Sequence, residues 1–277
     1  MTTLADVEAM FAAVAQLFAR ASDGTLYLRG RFVDYPLDLG FALQKGSLSH
    51  PYAEQLSTSL QNIVWDLWNI GTLFDRLDRT DGLATTGALG EDPWRLYCGL
   101  DIEHFFIELR SILDYAARCI ASVADRPGTV PGESMNELRN WLDRNPGNAS
   151  RLGIDLVPIV HSHPRFPDIK DVRDEIVHRG GLTMLYGSPG EGLLFQVHQS
   201  WRPIVTAPEE AMTPEGLIDF RRYGSLLFAE LLVFLERLGT GLAQRLPVKH
   251  IGLGDAQIKG PGWDVFLSWL ASWRAPH

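Results

Sequence analysis

Cysteine is scarce in this chain, with only Cys98 and Cys119 among 277 residues. Two are too few for a disulfide framework and lie too far apart for a metal knuckle. Both fall on one expected helix, where residues so widely spaced cannot bridge. A reducing compartment, the cytoplasm, fits this usage. Lysine is nearly as rare, 4 against 21 arginines. Arginine is the better fork for carboxylate or phosphate, although codon usage explains the same excess. Long apolar runs are missing too. The most apolar stretch, 225–235, is interrupted by Glu230 and is far short of the roughly 20 residues that span a bilayer. The first 20 residues carry Asp6 and Glu8 where a leader peptide would carry positive charge. A soluble protein with no membrane partner is expected. Net charge is −9, which argues against broad nonspecific binding to nucleic acid. The motifs of serine and cysteine hydrolases, zinc proteases and dinucleotide enzymes are absent from the sequence.

What is present is mostly helical periodicity. Apolar residues recur at helical spacing over 4–20, 52–79, 93–123 and 214–245, the last apolar nearly all round between Ser225 and Leu235. Ser134-x-x-Glu137 is a capping box opening a short helix to Asp143. Residues 25–43 read as β-like with Pro36 limiting strand length, and 80–91 read as a loop. Leu182–Tyr186 and Leu193–Val197 flank a glycine-rich turn and predict a β-hairpin. Thr213-Pro214 reads as the start of the last long helix, and Trp263–Trp273 as a final amphipathic turn or two. The expected fold is mainly α, a helical bundle with a small β-hairpin or sheet insertion. The expected organisation is an N-terminal helix and β-like extension over 1–50, a bundle over 51–246 with the hairpin at 182–198, and a tail over 247–277.

The stretch from Asp168 to Gly181, DIKDVRDEIVHRGG, concentrates the chemistry. Asp168 after Pro167 suits an N-cap, and Gly180 or Gly181 suits the left-handed residue that ends a helix. Asp174 and His178 are four apart, so the carboxylate can orient the imidazole. Arg173 and His178 are five apart, about 140° around the axis. On spacing alone they do not meet, and a break in the helix or a second copy of it is required. Arg-x4-His is a cheap pattern: Arg245 and His250 repeat it across Pro247. His161-Ser162-His163 lies beside Pro164 with no acid cluster nearby, so a loop is expected there and no metal.

The hexapeptide Arg173-Asp174-x-x-x-His178 in RDEIVHRG, downstream of the helix IELRSILDYAA, resembles the HEPN superfamily of α-helical domains. That resemblance covers about Tyr52 to Leu246. It implies a metal-independent endoribonuclease without a cofactor, built where two motif helices face each other in a homodimer, with toxin or antiviral-defence roles and a regulatory partner of unknown identity. His178 is then the acid or base, Arg173 the phosphate ligand, and Asp174 the residue that fixes the imidazole. Asp114, Glu108 and Arg110 are the candidate accessory residues. Relatives that carry a tyrosine two residues after the histidine have it modified; Gly180 stands there in this chain, so that mode is not expected. The alternative is a noncatalytic dimeric scaffold or ligand-binding module of the same fold.

Overall fold

The structure, a computed structural model, describes residues 4–45, 50–199, 202–203, 207–248 and 257–273. In chain order it runs α1 (Leu4–Ala15), β1 (Phe18–Arg20), β2 (Leu26–Leu28), α2 (Arg31–Gln44), α3 (Ala53–Thr85), α4 (Glu91–Ser122) and α5 (Met135–Arg144). Two single turns follow, α6 (Ala149–Leu152) and α7 (Val157–Val160), then α8 (Phe166–Arg179), β3 (Leu182–Tyr186), β4 (Leu194–Gln199), β5 (Arg202–Pro203) and β6 (Ile218–Asp219). The chain ends with α9 (Phe220–Arg245), β7 (Ile258–Lys259) and α10 (Trp263–Ser272). The fold is mainly α, with two small antiparallel sheets: β1-β2-β7, and β3-β4-β5 with β6 also on β4. Among the described residues no helix is long and apolar enough to cross a membrane.

Four expectations need correction. The β-like reading of 25–43 holds only to Leu28; from Arg31 the chain is helical through Pro36. Phe32, Val33, Tyr35 and Leu39 are buried, a helical and not an alternating repeat, and that repeat outweighs the proline. The loop expected over 80–91 is helix as far as Thr85. The last long helix starts at Phe220 and not at Thr213-Pro214. Gly216 at φ 80° lets the chain turn there, and Ile218 pairs with Phe195 before the helix begins. Lastly, α8 opens at Phe166, with Arg165 ahead of it and Asp168 inside the first turn.

The chain folds as two compact units. The first comprises residues 1–68, 111–164 and 230–259. Here Glu236 of α9 accepts the Arg31 amide at 2.7 Å, satisfying an orphan donor at the start of α2. Gly239 brings the two helices together, since a Cβ there would lie 2.7 Å from the Phe32 nitrogen. Ser134 caps α5 by accepting the Glu137 amide at 3.1 Å, as the capping box predicts.

The second unit comprises residues 69–110, 165–229 and 260–277. Phe74 sits at the centre of an aromatic cluster with Phe105, Phe228, Phe266 and Trp269, ring centres 5.3–5.8 Å away. The run 226–235 of α9, which the units share, is buried on nearly every side, as its composition predicts. The hairpin is present, with Leu182 opposite His198 and Tyr186 opposite Leu194. Two side chains of α4 cover the outer edge of β3. Glu103 accepts the Thr183 amide at 3.0 Å, and Arg95 donates to the Leu185 and Gly187 carbonyls at 2.5 and 2.7 Å. That edge offers no open ladder to another strand there.

Both cysteines lie on α4, fully buried and unbridged. Burial pushes the Cys98 thiol up to about 12, with the Asp81 and Asp101 carboxylates adding to it, and burial raises Cys119 as well. Thiolate is the reactive form. Iodoacetamide at pH 8 is therefore expected to leave native protein unlabelled and to add two carbamidomethyl groups in denaturant, read by intact mass. Rapid native labelling would contradict this burial.

Candidate functional site

The face that α8 buries carries Ile169, Val172 and Glu175, at steps of three. Val177 and His178 are exposed, while Arg173 and Asp174 are half-buried. The helix stops at Gly180, whose φ of 68° and ψ of 32° are left-handed, and its amide and that of Gly181 both reach the Glu175 carbonyl. A residue with a Cβ would be strained at Gly180, so the glycine fixes where the last turn ends.

Arg173 and His178 meet within one unbroken helix. Arg173 Nη1 lies 2.7 Å from His178 Nε2. The expectation that a break or a second chain must bring them together is corrected by side-chain length. About 7.5 Å of helix rise separates the two Cα atoms. An extended guanidinium covers it, while the imidazole leans back toward the N-terminus as helical side chains do.

Asp174 also has a different job from the one its spacing suggests. Its Oδ1 accepts from the same Arg173 Nη1 at 3.1 Å, and its Oδ2 lies 3.6 Å from Lys170. The carboxylate therefore steers the guanidinium around the helix toward His178. The four-residue spacing of Asp174 and His178 makes them neighbours, but the arginine between them takes the contact. Arginine only donates, so in this contact Nε2 can serve only as the acceptor.

Glu175 and Lys170 are members of the arrangement that sequence reasoning did not place. Glu175 is buried and pairs with Arg179, one turn on, so the second arginine of the motif is anchored away from the first. Lys170 pairs with Asp171 at 2.9 Å. The signals available were the i,i+4 spacings Glu175–Arg179 and Lys170–Asp174. Burial raises the Asp168 carboxyl, in the first turn, above the ordinary aspartate range, opposed by Arg165. That end of α8 is about 15 Å of helix rise from His178.

The accessory candidates are committed elsewhere. Arg110 is buried and lies over the Phe166 ring at 4.9 Å, at the far end of α8 from His178. Glu108 accepts from Asn69 at 3.1 Å and lies 2.9 Å from His104. Asp114 accepts the Met135 amide at 2.9 Å and so helps to cap α5.

The chain matches no known protein family, curated protein or solved structure.

The second Arg-x4-His pair is differently placed. Arg245 donates to Asp125 at 2.6 Å and also pairs with Asp155, which lowers the Asp155 carboxyl below its ordinary range. It is a structural ion-pair hub; His250 lies outside the described residues. His163 is buried edge-on to Phe234 at 6.1 Å, and His161 lies 3.7 Å from Asp143. Among the described residues no group of three or more His, Cys, Asp or Glu is arranged to hold a metal.

A cation and a basic nitrogen in contact, on a solvent-facing turn, form a unit that can hold a phosphate and accept a proton beside it. Leu182, at 65% exposure, and Val177, at 46%, add apolar surface on either side of the glycine stop.

Proposed function

We propose that the chain is a HEPN-like, metal-independent endoribonuclease acting on cytoplasmic RNA through Arg173 and His178. The contact between Arg173 Nη1 and His178 Nε2 supports this reading most strongly. An incoming phosphodiester attracts the guanidinium, whose planar fork suits two phosphate oxygens. Moving there, Arg173 releases Nε2, which becomes free to take the proton of the ribose 2′-hydroxyl. The 2′-oxygen bonds to phosphorus as the bond to the 5′-oxygen breaks, and the guanidinium stabilises the charge gathered on the phosphorane. The products are a 2′,3′-cyclic phosphate and a 5′-hydroxyl, the latter receiving a proton.

One imidazole cannot be base and acid in the same step. A second copy of α8 facing the first across a two-fold axis would supply the other proton. The homodimer is thus retained for its proton count, although the Arg–His contact itself needs only one chain. Asp174 is a positioning residue in this scheme, acting through Arg173.

A scaffold or binding-module reading draws on a different observation. On α4, Leu96, Tyr97 and Leu100 are each at least half exposed, and Leu96 and Leu100 are one turn apart. Such a stripe suits contact with another chain. Incubating purified protein with 5′-labelled single-stranded RNA in EDTA separates the two readings. Short fragments are expected from the nuclease; intact RNA at micromolar protein would leave the scaffold.

A further inference from the structure

We propose that the first unit binds an uncharged, largely apolar small molecule in a pocket between α2 and α3. The pocket has a volume of about 310 Å³, at the lower end of the range of small-molecule sites. Val33 and Pro36 of α2, Val64 of α3 and the buried Ile258 of β7 give it apolar walls.

Two residues of α2 open the space. Pro36 cannot donate to the carbonyl one turn back, and its compact ring leaves room that a long side chain would fill. Gly40, one turn further, contributes no side chain, and a Cβ built there meets nothing within 4 Å. A glycine in a helix interior is less favourable than an alanine. It has no left-handed backbone to justify it, since it is not among the positive-φ glycines. What the missing side chain provides is the void.

The lining also sets the chemistry of the occupant. None of the described residues that line the pocket is ionisable. A charged ligand would lose its hydration with no opposite charge in return. Ser57, Gln61 and Gln257 offer a hydroxyl and two amides, enough to orient a hydrogen-bonding group on an otherwise apolar molecule. Ser57, Gln61 and Val64 follow one face of α3, which Trp68 continues one turn on. Trp68 is 42% exposed and meets the exposed Trp65 edge-on at 6.4 Å. Neither indole lines the pocket itself; Trp68 follows the lining residues on the same helix face and offers a ring to a flat ligand that projects from it.

N-phenyl-1-naphthylamine is a suitable probe, uncharged with two aryl groups and one N–H. Titrated into the full chain, it is expected to saturate a single site with micromolar affinity. Its sulfonated analogue, 8-anilinonaphthalene-1-sulfonate, is expected to bind at least tenfold more weakly. Gly40→Phe fills the void from α2 and should weaken the neutral probe at least tenfold, while Gly40→Ala changes it less than threefold. Ser57→Phe closes the same space from α3 and serves if Gly40→Phe alters the melting curve. Absence of saturable binding, equal affinity for the two probes, or unchanged affinity in both Phe variants would overturn the proposal.

Discussion

Arg173→Ala and His178→Ala are each expected to lower RNA cleavage by about 10³-fold. Positioned general base catalysis contributes about 10²–10⁴, and a single charge-stabilising donor about 10²–10³. The double variant should be scarcely worse than either single one, because the two groups act as a unit. Arg173→Lys should recover little, since an ammonium lacks the planar fork. Asp174→Asn weakens one charge-assisted hydrogen bond to Arg173, so a smaller loss, about tenfold, is expected. His178 is exposed and Arg173 half-buried, and neither lies in the core, so melting temperatures should move by no more than about 4 °C. Undiminished cleavage by both alanine variants would remove the site.

Asp81→Ala has the largest expected effect on stability. This carboxylate is 3% exposed, and it accepts from the Trp94 indole at 3.0 Å, the Gly190 amide at 3.2 Å and Arg221 Nη2 at 2.7 Å. It therefore ties α3 to the start of α4, to the hairpin turn and to α9 within the second unit. Removing it strands three donors, one of them charged. Losing one partner of a buried ion pair costs about 3–5 kcal/mol, and the partial exposure of Arg221 puts the expected loss toward the lower figure. Asp81→Asn keeps one acceptor and should cost less. Urea unfolding measures both, with the exposed Asp171→Ala as a control that should stay within about 0.5 kcal/mol of wild type. A midpoint for Asp81→Ala equal to wild type would show that the hub carries no net stability.

The same residue shows what the sequence could and could not disclose. Asp81 sits in Thr-Asp-Gly, a loop by composition, and its partners at 94, 190 and 221 are invisible to any local pattern. Helical repeats at 52–79 and 93–123 were legible because one face of each is buried along most of its length. In the α2 region proline and glycines suggest breaks, but the buried repeat Phe32–Tyr35–Leu39 has helical period and prevails. Thr213-Pro214 carried the letters of a helix start, but the buried strand pair Ile218–Phe195 delays the helix to Phe220. At the candidate site, spacing identified the residues and mistook their geometry. Angular separation treats side chains as stubs, and arginine is long enough to pass Asp174 and reach His178. The accessory candidates Asp114 and Arg110 share a helix with no local sign of their partners: one helps to cap α5 and the other lies against Phe166.

On the proposed reading, Arg173 and His178 make this chain a nuclease dependent on the ribose 2′-hydroxyl. The direct measurement compares a single-stranded RNA with its fully 2′-O-methylated counterpart, each incubated in EDTA with wild-type protein and with His178→Ala. The account predicts that wild type cleaves only the unmodified RNA, leaving 2′,3′-cyclic phosphate ends, and that His178→Ala leaves both intact. Cleavage of the methylated strand, or equal cleavage by His178→Ala, would contradict it.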